Sequence, residues 1–138
     1  MRLKQALFFL LLLPVISGCS DNDDDTSAGL VGTWRLEAVY YDPGDGSGDF
    51  ASVESNKIIE FLADGTLISN GDLCTLSEEA GQETRASYNE ELSELYVPGC
   101  QGELAVMTTL PFVLEGNRLE IYYQCIEGCG HRYKKVSG

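Results

Sequence analysis

Basic residues are scarce in this chain: nine Lys and Arg stand against 22 Asp and Glu in 138 residues, a formal charge of −13. A polyanion of this size repels nucleic acid and anionic membrane surfaces, so neither is an expected partner. Long apolar runs are scarce as well. The one unbroken run, Leu7 to Leu13, falls far short of the ~20 residues that a transmembrane helix needs. There is a single histidine, His131, and a single tryptophan, Trp34. That imidazole follows Cys129 by two residues, a pair that would suit nucleophilic catalysis only with a free thiol, and Glu78, Glu79, Glu90, Glu91 and Glu94 lie in polar segments without convergent partners. Carboxylate chemistry needs two such groups facing each other across a cleft, so these acids read as solvated surface. The chain is therefore not expected to be an enzyme, and no cofactor is expected. No internal repeat is evident.

What is present begins with an export signal. Arg2 and Lys4 precede the Leu7–Leu13 run, and Pro14 to Gly18 follow it, which reads as a secretory signal over residues 1–18. Ile16-Ser17-Gly18-Cys19 resembles the bacterial lipobox, and the resemblance implies that Cys19 becomes the lipidated first residue of the mature protein. Such an anchor is hydrocarbon: at about 0.8 kcal/mol per buried CH₂, one acyl chain binds marginally and two or three hold. The expected partner is thus the lipid bilayer, reached through an acylated, palmitate-type anchor on a water-facing domain. Residues 19–29 carry a run of acids with almost nothing apolar to bury, and they read as a disordered tether. Ser20, Asp21, Asp23 and Asp24 also resemble the acidic export signal of surface lipoproteins of the Bacteroidota. That resemblance implies an outer-membrane lipoprotein exposed at the cell surface, with a periplasm-facing domain as the alternative. Without residues 1–18, seven basic and 22 acidic residues remain, a formal charge of −15 on a mature chain whose one domain spans 30–138.

Four cysteines follow Cys19: Cys74, Cys100, Cys125 and Cys129. An even count in an exported domain argues for two disulfides, with three connectivities open. Cys125 and Cys129 can close a short loop on themselves, and Cys74 would then pair with Cys100. Zinc is disfavoured, because the spacings lack paired short knuckles. Oxidation would also remove Cys129 as a nucleophile for His131, which then reads as a surface or strand-start residue. Asp45, Ser47 and Asp49 alternate in a glycine-rich loop like the opening of a calcium site, but Asn56 stands where that pattern needs a bidentate glutamate. A flexible loop is the expected role, and calcium a weak alternative.

Apolar residues alternate in short segments. Trp34, Leu36, Ala38 and Tyr40 share one face of a strand, with Arg35 and Glu37 on the other. Ile59 and Phe61 share a face before Asp64-Gly65, a two-residue hairpin signal. Thr84–Tyr88, Gly102–Thr109, Phe112–Glu115, Arg118–Gln124 and His131–Val136 continue the pattern, with Gly116-Asn117 as a second hairpin signal. Leu92 and Leu95 have helical spacing in a segment too short to hold a helix alone. Seven to nine short strands joined by tight turns predict an all-β antiparallel meander, a barrel or, as the lesser alternative, a sandwich. By alternation Tyr40 and Tyr123 belong to the core, while Tyr41 and Tyr122 point outward as candidate ligand or surface contacts.

Gly32-Thr33-Trp34 resembles the opening of the lipocalins. Together with Ile59-Glu60-Phe61, Ala63-Asp64-Gly65-Thr66, Asn70 to Cys74, Gly116-Asn117 and Cys125 to Gly130, it resembles the small lipocalin-like lipoproteins of the Bacteroidota. The resemblance implies an up-and-down barrel of about eight strands, with Trp34 as the plug of its closed end. It also implies an arginine, Arg118 or Arg132, stacked over that tryptophan. About 105 residues imply a cup that is shallow or filled by side chains. The function implied is a lipid-anchored, non-enzymatic cell-envelope module that binds an apolar or amphipathic small molecule. The alternative is a structural or protein-interaction domain with a filled interior that contacts another envelope protein.

Overall fold

The computed structural model describes residues 29–100 and 109–138. The alternation that starts at Trp34 does form a strand, β1 (Gly32–Tyr41). After it come β2 (Asp49–Ser52), β3 (Ile58–Phe61), β4 (Thr66–Ser69), β5 (Thr84–Asn89), β6 (Glu94–Tyr96), β7 (Thr109–Glu115), β8 (Arg118–Tyr122) and β9 (Cys129–Ser137). Every strand pairs antiparallel with its neighbour, and β9 returns to pair with β1. Strands β1 and β3 to β9 thus close an eight-stranded up-and-down barrel. β2 is an extra strand on the second half of β1, beyond the stretch that pairs with β3. The barrel, not the sandwich, is the architecture. Most of the strand expected at Gly102–Thr109 lies outside the described residues, as do Cys19, Ser20, Asp21, Asp23 and Asp24.

Strand direction defines two ends. At the base, β1 begins and β9 ends, and the turns after β3, β5 and β7 gather there. At the rim lie residues 42–48, 70–83 and 123–128. Between them, Trp34, Leu36, Ile59, Phe61, Leu67, Leu95, Leu119, Ile121 and Tyr133 point inward and are at most 2% exposed. Trp34 fills the base, its indole N–H donating to the Leu30 carbonyl at 2.9 Å.

Three local expectations are corrected. The Asp64-Gly65 hairpin is a three-residue turn: the Gly65 N–H reaches the Leu62 carbonyl, and Leu62 pairs with Thr66. Gly65 takes φ +86°, a left-handed conformation that closes a loop of this length and that glycine adopts without a Cβ clash. The Leu92/Leu95 spacing belongs to a turn and not a helix, with Leu92 exposed and Leu95 buried in β6. The third correction reaches further. Leu36 faces Tyr133 and Ala38 faces Arg132, so the β1–β9 register slips by one residue at Glu37. Such a bulge resets the alternation beyond it. Tyr40 then shares a row with Gly130 and Tyr122 on the outer wall, and it is not a core residue. Val39, paired with the buried His131, and Tyr41 take the inward phase.

Both disulfides form as the spacing argued, Cys74–Cys100 with Cα atoms 5.1 Å apart and Cys125–Cys129 with Cα atoms 5.9 Å apart. Loop-closure entropy makes the 26-residue link worth about 3.5 kcal/mol and the four-residue link about 2 kcal/mol. Serine pairs at the two sites should lower the urea midpoint in that order; equal losses would contradict the entropic account. Trp34→Ala should cost about 3–5 kcal/mol in the same assay. A loss below about 1 kcal/mol would mean that the base does not depend on the indole.

Candidate functional site

At the base, the cation over the Trp34 ring is Lys135, with Nζ 5.5 Å from the ring centroid. The same ammonium donates to the Gly29 carbonyl at 2.8 Å. Neither arginine occupies that place. Arg132 stacks 3.7 Å over the Phe50 ring and pairs with Glu120 at 2.9 Å, while Arg118 pairs with Glu115 and approaches Glu120 at 3.7 Å. The reason is strand phase: Arg132 is one residue out of step with the inward-pointing His131, Tyr133 and Lys135.

On the outer wall this phase assembles a ladder across four strands. Phe50 lies against Tyr40 with ring centroids 5.3 Å apart, Arg132 covers Phe50, and the Tyr122 hydroxyl donates to Glu120 at 2.5 Å. Partial burial, and then the Glu120 carboxylate, push the Tyr122 phenol up to about 12. Tyr122 is half-buried in this network. Tyr41 stands apart at the rim and is 65% exposed.

The acidic loop after Tyr41 spends its carboxylates on its own backbone. Asp42 Oδ1 accepts the N–H groups of Gly44 and Gly46 at 2.8 and 3.1 Å, and the Gly44 bond chiefly holds its carboxyl below the usual range. Asp45 accepts from the Ser47 N–H, and Asp49 from the Phe50 N–H. Asp45, Ser47 and Asp49 therefore serve as turn-forming groups. Among the described residues, no three His, Cys, Asp or Glu side chains gather to hold a metal ion.

Inside the rim lies a polar cluster that the sequence reading did not single out. Lys57 is fully buried, and its ammonium donates to the carbonyls of Asp72 and Ser77 at 2.5 and 2.7 Å. Burial lowers the Lys57 pKa to about 8, against the opposing charge of Asp72. Asp72 itself is pushed up by burial, but its bonds from Thr75 and Cys74, with the Lys57 charge, hold it below the usual carboxylate range. His131 is also fully buried, which corrects its reading as a surface residue. Its Nδ1 lies 3.0 Å from the Tyr123 hydroxyl and 3.4 Å from that of Tyr133, while Nε2 has no hydrogen-bond partner among the described residues. Burial first, and Lys57 second, lower the imidazole to about 4, with the Leu76 carbonyl opposing them. Burial likewise raises both phenols. The histidine is thus neutral at ordinary pH. The lysine is committed to backbone carbonyls, so the arrangement ties residues 70–83 across the rim. The signal was available in the alternation: Lys57 is in phase with Ile59 and Phe61, and His131 with Tyr133 and Lys135.

Among the described residues, two open clefts lie on the outside. One, of about 460 Å³, lies between Asp72, Gln82, Glu83, Thr84, Arg85 and Pro98. The other, of about 450 Å³, is lined by Glu37, Glu115, Asn117, Arg118 and Lys134. Both are polar-walled, unlike the mostly apolar concavities that hold small ligands. Comparison with protein-family models, with curated proteins and with solved structures returned no match.

The buried imidazole makes stability pH-dependent. Its folded-state pKa, about 4, lies below the ordinary 6.5, so the unfolded chain binds the proton first as pH falls. Stability from this group is present above about pH 6.5 and is lost down to about pH 4, by up to about 1.4 kcal/mol per pH unit. Urea melts of wild type and His131→Leu at pH 7 and 4.5 isolate this contribution. The difference between the two proteins should change across that range, and a constant difference would rule it out.

Proposed function

We propose that the chain is a lipid-anchored, non-enzymatic module of the bacterial cell envelope that acts through its outer surface, its barrel interior being a packed core. One observation carries this reading. Side chains lining a cavity wide enough for water keep some surface accessible to it. Trp34, Ile59, Leu67, Leu95, Leu119, Ile121 and Tyr133, together with Lys57 and His131, keep none. The outward positions Arg35, Glu60, Arg85, Ser87 and Lys134 are exposed and polar, which suits a water-facing wall and not one immersed in lipid.

The anchor rests on Ile16-Ser17-Gly18-Cys19 and the surface location on Ser20, Asp21, Asp23 and Asp24, as sequence signals. Membership of the small lipocalin-like lipoproteins of the Bacteroidota is part of the same proposal. It is supported by the order of the motifs and by the eight-stranded meander that carries them. A carrier of a small ligand is the second reading, favoured by the unpartnered His131 Nε2 inside the rim.

Native mass spectrometry of the full-length protein, extracted oxidised from the membranes of its own cells, tests both readings. The expected mass begins at Cys19, includes acyl chains that Cys19→Ala abolishes, and contains no further ligand. An unacylated chain would remove the anchor from the proposal, and a stoichiometric small molecule would replace the interaction module with a carrier.

A further inference from the structure

We infer that the rim knob formed by Ile126 and Tyr41 is the docking surface of this module, and that it fits a protein partner offering an apolar socket edged by lysine or arginine side chains. The inference rests on the reading that the barrel works from its outside.

Ile126 is 102% exposed at the tip of the loop closed by Cys125–Cys129, an extreme among the large apolar side chains described. Single exposed apolar residues are ordinary, but this one is built into place. The disulfide closes its loop. The Gly128 carbonyl accepts the Asp42 N–H at 2.8 Å, tying the knob to the acidic loop alongside. Gly128 lies so close to the Tyr40 ring that a Cβ there would meet the hydroxyl at 2.6 Å, and a Cβ on Gly48 would meet the same ring at 2.8 Å. One tyrosine, turned outward by the bulge in β1, therefore wedges between both rim loops. Tyr41, paired with Cys129 across the β1–β9 seam, adds an exposed ring at the foot of the knob. A contact held in shape before binding loses little conformational entropy when it docks.

Charge selects the partner. Glu127 adjoins Ile126, Asp45 is exposed in the neighbouring loop and Asp49 at the start of β2, while Arg132 is engaged with Glu120 and Phe50. An apolar centre with a charged surround is the anatomy of a protein contact, and here the surround is anionic. An anionic bilayer would be repelled. Direction agrees: the described chain starts at Gly29 by the base, where the Lys135 ammonium meets it. The knob lies at the opposite end of the barrel, where the loop 123–128 sits.

The test uses the full-length protein from its own membranes. Proteins retained by it are identified, and the affinity of the retained protein is then measured against single variants. Ile126→Asp and Glu127→Lys should each weaken binding by at least tenfold, and added NaCl should weaken it further. Leu92→Ser is the control, since Leu92 is as exposed as Tyr41 but sits in a turn at the base. Both Ile126 and Leu92 are surface residues, so thermal melts of the variants should match wild type. Binding that survives Ile126→Asp, loss caused by Leu92→Ser alone, or failure to retain any protein overturns the proposal. Binding of the chain to phosphatidylglycerol vesicles through Ile126 overturns it in favour of a lipid surface. Loss through Leu92→Ser leaves the interaction module standing with its contact at the base, whereas a small molecule in the native mass spectrum removes the module reading itself.

Discussion

Closing a sheet on itself requires one strand to serve both of its ends, and in this protein β1 does so. It holds β9 along almost its whole length, β3 along its first half and β2 along its second. Every other strand contributes one step of a meander, which short turns settle locally. The β1–β9 seam is the single long-range pairing that turns the meander into a barrel. It also contains the slip at Glu37. Before the slip, β1 delivers Trp34 and Leu36 to the core; beyond it, Tyr40 goes to the outer wall and Tyr41 to the rim. One extra residue thus lets the same strand serve both the barrel core and the surface that we propose to be functional.

Each end of the barrel is sealed by a buried lysine. At the base, Lys135 lays its stem beside Trp34 and gives its ammonium to the Gly29 carbonyl. At the rim, Lys57 passes through the apolar interior to two carbonyls of the loop that crosses it. The physics is shared: an aliphatic stem tolerates the core while the charged head finds backbone oxygen. The consequence differs. Lys57 lies near His131 and helps burial to keep that imidazole neutral, so the rim interior is polar yet chemically quiet. Cys74–Cys100 fastens the same loop covalently.

Much of this fold was legible in the residues. Period-2 alternation located most of the strands though not β2 or β6, Gly116-Asn117 marked a turn, and the even cysteine count pointed to two disulfides. Inward positions were legible wherever the strand was regular, as at Ile59, Phe61, Leu119 and Ile121. The errors share one cause. Tyr40 was misplaced because a bulge is a property of two paired strands, and one strand's pattern does not contain it. Arg118 and Arg132 were candidates for Trp34 because arginine suits an indole, yet strand phase put a lysine there. Lys57 was passed over, and His131 read as a surface or strand-start residue, because polar residues are read as surface, although their alternation already placed them inside.

The sequence by itself determined the class of structure, most of the strand segments, the pairing of four cysteines into two disulfides and the anionic character, since each follows from local spacing or from counting residues. Only the tertiary structure decided which tyrosine faces out, which cation covers Trp34, and that Lys57 and His131 are buried. Those outcomes depend on the register between β1 and β9, two strands about 90 residues apart in the chain, and register is fixed when their side chains compete for one closed interior.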